Sequence, residues 1–189
     1  MNADPTKAGF DPARLNRITM HLNDNYVAPG KIAGCQTLVA RHGQVAYFSS
    51  LGCADRERLV PMADDTIFRI YSMTKPITSV ALMQLYEQGR FQLNDPISRF
   101  LPEWKDQKVW GSGDIDNMEL KAPDQPLTFR HILSHTGGLT YGAGNHPVDK
   151  VYQQLGVNRD RSGTLNAFVQ KLANVPLRYE PGTRWMYSK

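Results

Sequence analysis

The sequence predicts a mixed α/β (α+β) fold, with an antiparallel β-hairpin and its covering helix placed before a mostly helical region. Two strand-like stretches, 34–40 and 44–51, are joined by a His-Gly pair. Apolar residues on either side of this hairpin recur at helical spacing. The 189-residue chain is 41% hydrophobic and 21% charged, which is typical of a globular protein.

The first helix is predicted to begin at Pro12, because Asp11 is a favourable N-cap and proline is well tolerated at the first helical position. One face of this helix is apolar and should cover the hairpin. That face consists of Leu15, Ile18, Leu22 and Tyr26. His42, in the hairpin connection, is predicted to be a turn residue without chemistry.

A third strand-like run, 66–71, leads into a helix that we expect to start at Ser72 and to stop at Gly89. Pro76 fits the first turn, where backbone N–H groups lack helical partners. The inward side chains of this helix are predicted to be Ile77, Ala81, Leu82 and Leu85.

The rest of the chain is predicted to be helical or looped. A short helix follows Asn94, and the polar stretch 105–126, which contains Gly and Pro, indicates a long surface loop. Thr128 is the expected N-cap of a helix that ends at the Gly137-Gly138 pair. A last apolar pattern runs over 165–172.

Ser72-Met73-Thr74-Lys75 is a Ser-x-x-Lys motif. Residues three apart share a helix face, so the Lys75 amine is within reach of the Ser72 hydroxyl. A serine becomes an effective nucleophile when a neighbour takes its proton. Taken alone the tetrapeptide is a weak signal, since a serine before a helix is usually only an N-cap.

Three segments in order resemble the serine β-lactamase-related family, above all its branch of class C β-lactamases and family VIII carboxylesterases. The first is 68–102, which contains the Ser-x-x-Lys motif. The second, 133–139, reads L-S-H-T-G-G-L and is similar to the family's L-x-H-T-S-G-L turn. The third, 181–188, reads P-G-T-R-W-M-Y-S and is similar to the segment that carries the second catalytic motif.

The resemblance implies a β-lactamase/penicillin-binding-protein-like fold, with an antiparallel sheet flanked by helices and an all-α region. It implies a serine hydrolase in which Ser72 forms an acyl-enzyme, Tyr187 takes or relays the serine proton, and Lys75 balances the charge. Free lysine and tyrosine both have a pKa of about 10, so the two are expected to share a proton as a coupled pair. The favoured substrates are small carboxylic esters.

Two departures from the family pattern matter. Lys189 stands where β-lactamases usually have Asn, which argues against efficient lactam hydrolysis more than against ester hydrolysis. Family members also continue for a comparable length and contribute most of the sheet. We therefore assign 1–70 to the α/β part and 71–189 to the helical part, and expect the C-terminal sheet-forming half to be absent and the chain alone to be unstable and inactive.

Two other functions stay open. One is a β-lactamase or a D-amino-acid peptidase or amidase, which would act on an amide substrate. The other is a non-catalytic scaffold or binding module, suggested by the missing third family motif. A complementary C-terminal fragment or a second copy of the chain is a conceivable partner.

Composition excludes several classes of function. The net charge of +4 is scattered, which predicts no nucleic-acid binding. No apolar run reaches membrane-spanning length, and the first residues lack the apolar core of a signal peptide, so a cytoplasmic enzyme is expected. Cys35 and Cys53 are expected to be buried free thiols.

No cofactor and no metal is predicted. His131 and His135 have the spacing of zinc ligands on a helix, but Ile132 stands where a metalloprotease motif needs Glu. We expect a capping or packing role for His131, and expect His135 to fix the Gly-Gly turn. The remaining candidates are a flexible connector at 142–144 and two aromatic residues that pack in the core or line an acyl pocket, Tyr141 and Trp185.

Overall fold

The structure is a computed structural model that describes residues 3–157 and 163–188. Lys189, where the sequence departs from the family pattern, lies outside the described residues. The chain divides into two compact units, 1–71 and 72–189. Among the described residues, no helix combines the length and the apolar character needed to cross a bilayer.

The first helix, α1, spans Pro12–Leu22 and begins as predicted. The Asp11 carboxylate accepts hydrogen bonds from the backbone N–H groups of Ala13 at 2.8 Å and Arg14 at 3.3 Å. The predicted apolar face is wrong at Tyr26, which is exposed. The helix continues as a π-helical turn over Asn23–Val27, and this wider winding rotates Tyr26 away from the stripe.

The predicted hairpin is present, with strands β1 at Gly34–Arg41 and β2 at Gln44–Asp55 paired antiparallel. Both residues of the connection have positive φ, 50° for His42 and 73° for Gly43, as a type I′ turn requires. A short third strand, β3 at Val60–Pro61, pairs with the far end of β2.

The first unit has a small core in which α1 packs on the hairpin. Its buried residues and the partly buried side chains against them are Ala8, Leu15, Ala46, Phe10, Ile18, Val39 and Tyr47. The thiols of Cys35 and Cys53 are free but only half-buried, which corrects the expected burial. They do not face each other, because Cys35 lies opposite Leu51 in the ladder.

The stretch 66–71 is not a strand, contrary to the sequence prediction. A strand needs a neighbour for its backbone hydrogen bonds, and within the described chain no ladder includes this stretch. Its β-branched and aromatic composition is therefore not sufficient to make it one, and Ile67 is 96% exposed.

The helix after the motif, α2, spans Thr74–Glu87. The predicted start at Ser72 is wrong by two residues, because Ser72 lies in a 3-10 turn at Tyr71–Met73. The predicted stop is confirmed: Gly89 follows the helix with φ 69°. The predicted inward face is wrong, since none of the described α2 side chains is fully buried and Ile77 is 62% exposed.

The polar stretch 105–126 is more ordered than the predicted loop. It forms a second hairpin of β4 at Val109–Ser112 and β5 at Glu119–Lys121, joined through a 3-10 turn. The prediction that this part of the chain is only helical or looped was therefore wrong. Short strands in polar sequence lack the apolar alternation by which strands are recognised.

The second unit has the larger core. Three helices contribute to it: α3 at Phe129–Leu133, α4 at Pro147–Gln154 and α5 at Leu165–Ala173. The buried cluster is Ile97, Trp104, Val109, Leu127, Leu139, Val148, Tyr152, Val157, Leu172, Val175 and Leu177. The predicted apolar pattern of α5 is correct at Leu172 and wrong at Leu165, which is exposed.

Candidate active site

The three predicted site residues lie together in the second unit. The Lys75 Nζ donates to the Ser72 Oγ at 3.3 Å and to the Tyr187 Oη at 2.9 Å. The same nitrogen lies 4.7 Å from the centre of the Tyr187 ring. The amine therefore stands between the two hydroxyl groups, although 112 residues separate Lys75 from Tyr187 in the chain.

Ser72 is presented by the 3-10 turn Tyr71–Met73, immediately before α2. Tyr71 has φ 47°, a left-handed conformation that is uncommon for a bulky residue. This conformation costs about 1–3 kcal/mol, and residues that adopt it cluster at functional sites. The Ser72 side chain is exposed and so is accessible to a substrate.

Lys75 lies in the first turn of α2, and the other end of the helix is held by aromatic side chains. Tyr86 makes an edge contact with Phe91, with ring centres 5.8 Å apart. Phe91, which is buried, packs on Phe129 of α3 with centres 4.4 Å apart. This contact fixes the C-terminal end of α2, while its apolar face remains exposed.

Tyr187 belongs to a segment that docks along the Thr136–Gly138 turn. Arg178 N–H donates to the Gly138 carbonyl at 2.8 Å, and Gly182 N–H donates to the Thr136 carbonyl at 2.8 Å. Gly138 has φ 79°, and a Cβ on it would lie 2.4 Å from the Tyr179 carbonyl oxygen. Glycine is thus required here because the two backbones approach closely.

His135 completes this docking with two hydrogen bonds that flank Tyr187. Its carbonyl accepts from Met186 N–H at 2.9 Å, and its Nδ1 accepts from Ser188 N–H at 3.3 Å. The Ser188 Oγ also lies 3.3 Å from Nδ1. Sequence reasoning assigned His135 to the Gly-Gly turn and missed these bonds, because nothing in the sequence pairs residue 135 with residues 186 and 188.

Aromatic rings surround the Tyr187 side chain, which is 37% exposed. The His135 imidazole lies 4.8 Å from its ring centre, and the Tyr141 ring stacks on it at 5.8 Å with an interplanar angle of 15°. Trp185 contacts the imidazole edge-on and is 67% exposed. Tyr141 and Trp185 are therefore beside the site and outside the buried core.

Electrostatic interactions at the site favour ionisation of Tyr187. The hydrogen bond from Lys75 lowers the pKa of Tyr187, and a hydrogen bond with Ser72 lowers it further. Donors that point at a phenol oxygen stabilise its anion, which is the form that accepts a proton. The arrangement thus brings a candidate nucleophile, a candidate base and an amine within hydrogen-bonding distance of one another.

A buried polar cluster supports the Tyr141 side of the site. The Asp149 carboxylate, 3% exposed, accepts from the Thr140 Oγ1 at 2.6 Å and pairs with Arg178 at 3.4 Å. Thr140 Oγ1 in turn accepts from Gly142 N–H at 2.9 Å. The stretch 142–144 is therefore held by hydrogen bonds and is not the free connector that the sequence suggested.

His131 has the predicted capping role. Its Nδ1 accepts from Thr128 N–H at 3.3 Å, while the Thr128 Oγ1 accepts from His131 N–H at 3.4 Å. This reciprocal pair is a capping box at the start of α3. The residues described contain no group of three or more His, Cys, Asp or Glu side chains arranged to hold a metal ion.

Comparison with known proteins shows the family of this chain. A sequence profile of the β-lactamase family matches residues 21–189. Esterase EstB from Burkholderia gladioli is 36% identical over 192 residues, which cover 98% of this chain and 45% of that protein. The chain thus spans less than half the length of this relative.

Solved structures give the same result for the fold. EstCE1, described as a hydrolase with promiscuous acyltransferase activity, superposes with a TM-score of 0.77 at 35% identity, covering 93% of this chain and 44% of that chain. Simvastatin Synthase (LovD) from Aspergillus terreus superposes with a TM-score of 0.72 at 27% identity, covering 94% and 45%. The predicted mixed α/β fold with antiparallel sheets and helices is confirmed.

Proposed function

The chain belongs to the β-lactamase family, and we propose that it acts as a serine hydrolase that cleaves small carboxylic esters through an acyl-enzyme on Ser72. The observation that carries the proposal is the position of Lys75 Nζ, 3.3 Å from the Ser72 Oγ and 2.9 Å from the Tyr187 Oη. The 36% identity to an esterase over 98% of the chain supports the choice of an ester.

In the proposed acylation step, the Ser72 Oγ attacks the ester carbonyl carbon and its proton passes to Tyr187. Lys75 favours this transfer because its hydrogen bond stabilises the phenolate that receives the proton. The Ser72 N–H, just before α2, is the proposed donor to the developing oxyanion. The tetrahedral intermediate then expels the alcohol, which takes the proton back from Tyr187.

Deacylation reverses these roles with water as the nucleophile. A water molecule attacks the acyl carbonyl, its proton passes to Tyr187, and the carboxylic acid leaves as Ser72 regains its proton. The exposure of Ser72 gives water direct access to the acyl group. The pair Lys75 and Tyr187 is returned unchanged after each turnover.

The proposal is tested by the burst of p-nitrophenol from p-nitrophenyl butyrate, with the acyl adduct detected by intact mass. Because Ser72, Lys75 and Tyr187 lie within hydrogen-bonding distance of one another, we expect, against the inactivity expected from the sequence, one butyryl group per chain, which Ser72→Ala abolishes. Ser79→Ala is the matched control, because Ser79 lies further along α2 and outside the proposed site. This variant should still form the adduct. An unmodified wild-type chain, or an adduct that persists in Ser72→Ala, contradicts the proposal.

An amide substrate is the alternative within the same chemistry. Nitrocefin tests it directly, because opening of its lactam is read from its colour change. We expect the butyrate ester to be turned over faster than nitrocefin. The opposite order would favour a β-lactamase or an amidase.

Acyl transfer to an alcohol is a second candidate function. Tyr141 and Trp185 are exposed aromatic side chains around Tyr187 and offer an apolar surface to an acceptor alcohol. EstCE1, with 35% identity, is described as having promiscuous acyltransferase activity. We expect added 1-butanol to yield butyl butyrate at the expense of butyric acid, and unchanged product ratios would exclude this function.

A further inference from the structure

The two hydrogen bonds between His135 and the Tyr187 segment act on alternate residues. Met186 N–H binds the His135 carbonyl and Ser188 N–H binds its Nδ1, so both neighbours of Tyr187 are fixed by one residue. The imidazole also packs on the Tyr187 ring. We call this set of contacts the His135 clamp.

The clamp requires one protonation state of the imidazole. A backbone N–H always donates, so the Nδ1 that receives the Ser188 N–H carries no proton. The neutral ring must then hold its proton on Nε2. A protonated ring would turn Nδ1 into a second donor facing the Ser188 N–H, and that hydrogen bond would be lost. The new Nδ1–H would then point to the Ser188 Oγ, 3.3 Å away, so the backbone at Ser188 would have to move to suit it.

We propose that His135 is a positioning residue for Tyr187, which it holds only while its imidazole is neutral, so that protonation of the ring releases the tyrosine from Lys75 and Ser72. The proposal rests on the function proposed above, since the position of Tyr187 matters for activity only if Tyr187 moves the serine proton. His135 itself need not touch the substrate.

The surroundings of the imidazole favour the neutral form. Burial lowers the pKa of His135, and the positive charge of Lys75 lowers it further. The groups that face the ring are Lys75 from α2 and, from the Tyr187 segment, Trp185, Tyr187 and Ser188. A folded-state pKa below the unfolded value means that the Ser188 N–H bond to Nδ1 is complete above about pH 6.5 and is lost as the pH falls through the folded-state pKa. The Met186 bond to the backbone carbonyl does not titrate and remains.

The backbone of His135 permits an informative substitution. Its φ of 56° is left-handed, a region that Asn and Gly also adopt readily. In His135→Asn, the amide oxygen stands as many bonds from Cα as Nδ1 does, so it is able to accept the Ser188 N–H and does not titrate. In His135→Gly, the backbone is accommodated but the side-chain acceptor is lost.

The first experiment measures acylation by p-nitrophenyl butyrate between pH 5 and pH 8. We expect His135→Asn to acylate close to the wild-type rate at pH 8 and to decline less towards pH 5. His135→Gly should lose on the order of 10²-fold in rate at every pH, the effect of a misplaced catalytic group. His42→Asn, the same change at a left-handed histidine in the hairpin turn, is the matched control and should change nothing.

The second experiment uses ¹⁵N NMR of the imidazole and of the Ser188 amide, which requires no activity. We expect His135 as the Nε2–H tautomer at pH 8, a midpoint below 6.5, and a Ser188 amide shift that follows the same midpoint in the wild type but not in His135→Asn. A protonated Nδ1 at pH 8, or a Ser188 shift independent of pH, would overturn the proposal. Without an acyl adduct in the wild type, the proposed function fails while the NMR result still decides the clamp.

Discussion

Two hydroxyl groups and one amine define the site at the scale of single residues. Tyrosine is a weak base until its anion is stabilised, and Lys75 provides that stabilisation from 2.9 Å. Lys75 also reaches the Ser72 Oγ, so one amine contacts both the proposed nucleophile and its proposed base. This dual contact explains why residues far apart in the chain act as one group in the proposed reaction.

Tyr187→Phe removes the proposed base and keeps the aromatic ring. We expect the acylation rate constant to fall roughly 10²- to 10⁴-fold, the usual contribution of a general base. The ring contacts with His135 and Tyr141 should persist in this variant, so its fold should be unchanged. Stopped-flow p-nitrophenol release measures the acylation rate, and circular dichroism checks the fold. An unchanged rate would contradict the role of Tyr187 as the base.

Lys75→Met tests the cause of the lowered tyrosine pKa. The hydrogen bond from Lys75 is the largest contribution that lowers the pKa of Tyr187, so its loss should move the midpoint of phenol ionisation upward. Because the tyrosine anion is the proposed base, the rise of the acylation rate with pH should also move to higher pH. Ultraviolet titration against Tyr187→Phe isolates this tyrosine, and Lys105→Met, at an exposed position, is the control that should leave the midpoint in place.

At the scale of elements, the turn at Thr136–Gly138 is a template for the segment that carries Tyr187. The backbone bonds from Arg178 and Gly182 to this turn fix the path of the segment. The template works only with glycine at position 138, where a Cβ would meet the Tyr179 carbonyl. Two short motifs separated in sequence are therefore one structural unit.

Gly89 sets the end of α2 and with it the length of the helix that carries Lys75. A Cβ at Gly89 would meet no atom within 4 Å, so Gly89→Ala tests the left-handed backbone alone. We expect a loss of about 1 kcal/mol in the free energy of unfolding, measured by urea denaturation. Gly89→Asn should lose less, since Asn adopts this conformation more readily, and equal losses in both variants would point to another cause.

At the scale of the whole molecule, the site depends on the core of the second unit. Leu177 is fully buried and its backbone pairs with the chain at Lys108 and Trp110, which aligns the segment leading to Tyr187. The first unit has its own smaller core between α1 and the hairpin. All three proposed catalytic residues belong to the second unit.

Leu177→Ala should destabilise the second unit by about 2–5 kcal/mol, because truncation leaves a cavity in a packed core. Leu165→Ala is the matched control, since Leu165 is 79% exposed and its truncation should change stability by less than about 0.5 kcal/mol. Urea denaturation followed by tryptophan fluorescence compares the two variants. Equal effects would show that Leu177 is not part of a close-packed core.

Sequence reasoning was most reliable where a local rule applies. The Asp11 cap, the hairpin turn, the Gly89 stop and the His131 cap each depend on neighbouring residues in the chain, and all are present. It was wrong for the strand at 66–71, for the loop at 105–126 and for the inward face of α2. Those outcomes depend on which surface a segment meets, and periodicity carries no information about that surface.

The sequence alone determined the family of this chain, its α/β character and the three residues of the candidate site. Ordered motifs are sufficient for that, because they record local chemistry and spacing. Only the tertiary structure placed Lys75 between Ser72 and Tyr187 and showed both neighbours of Tyr187 bonded to His135. Such contacts join residues distant in the chain, and their geometry is fixed by packing and backbone pairing that no local pattern encodes.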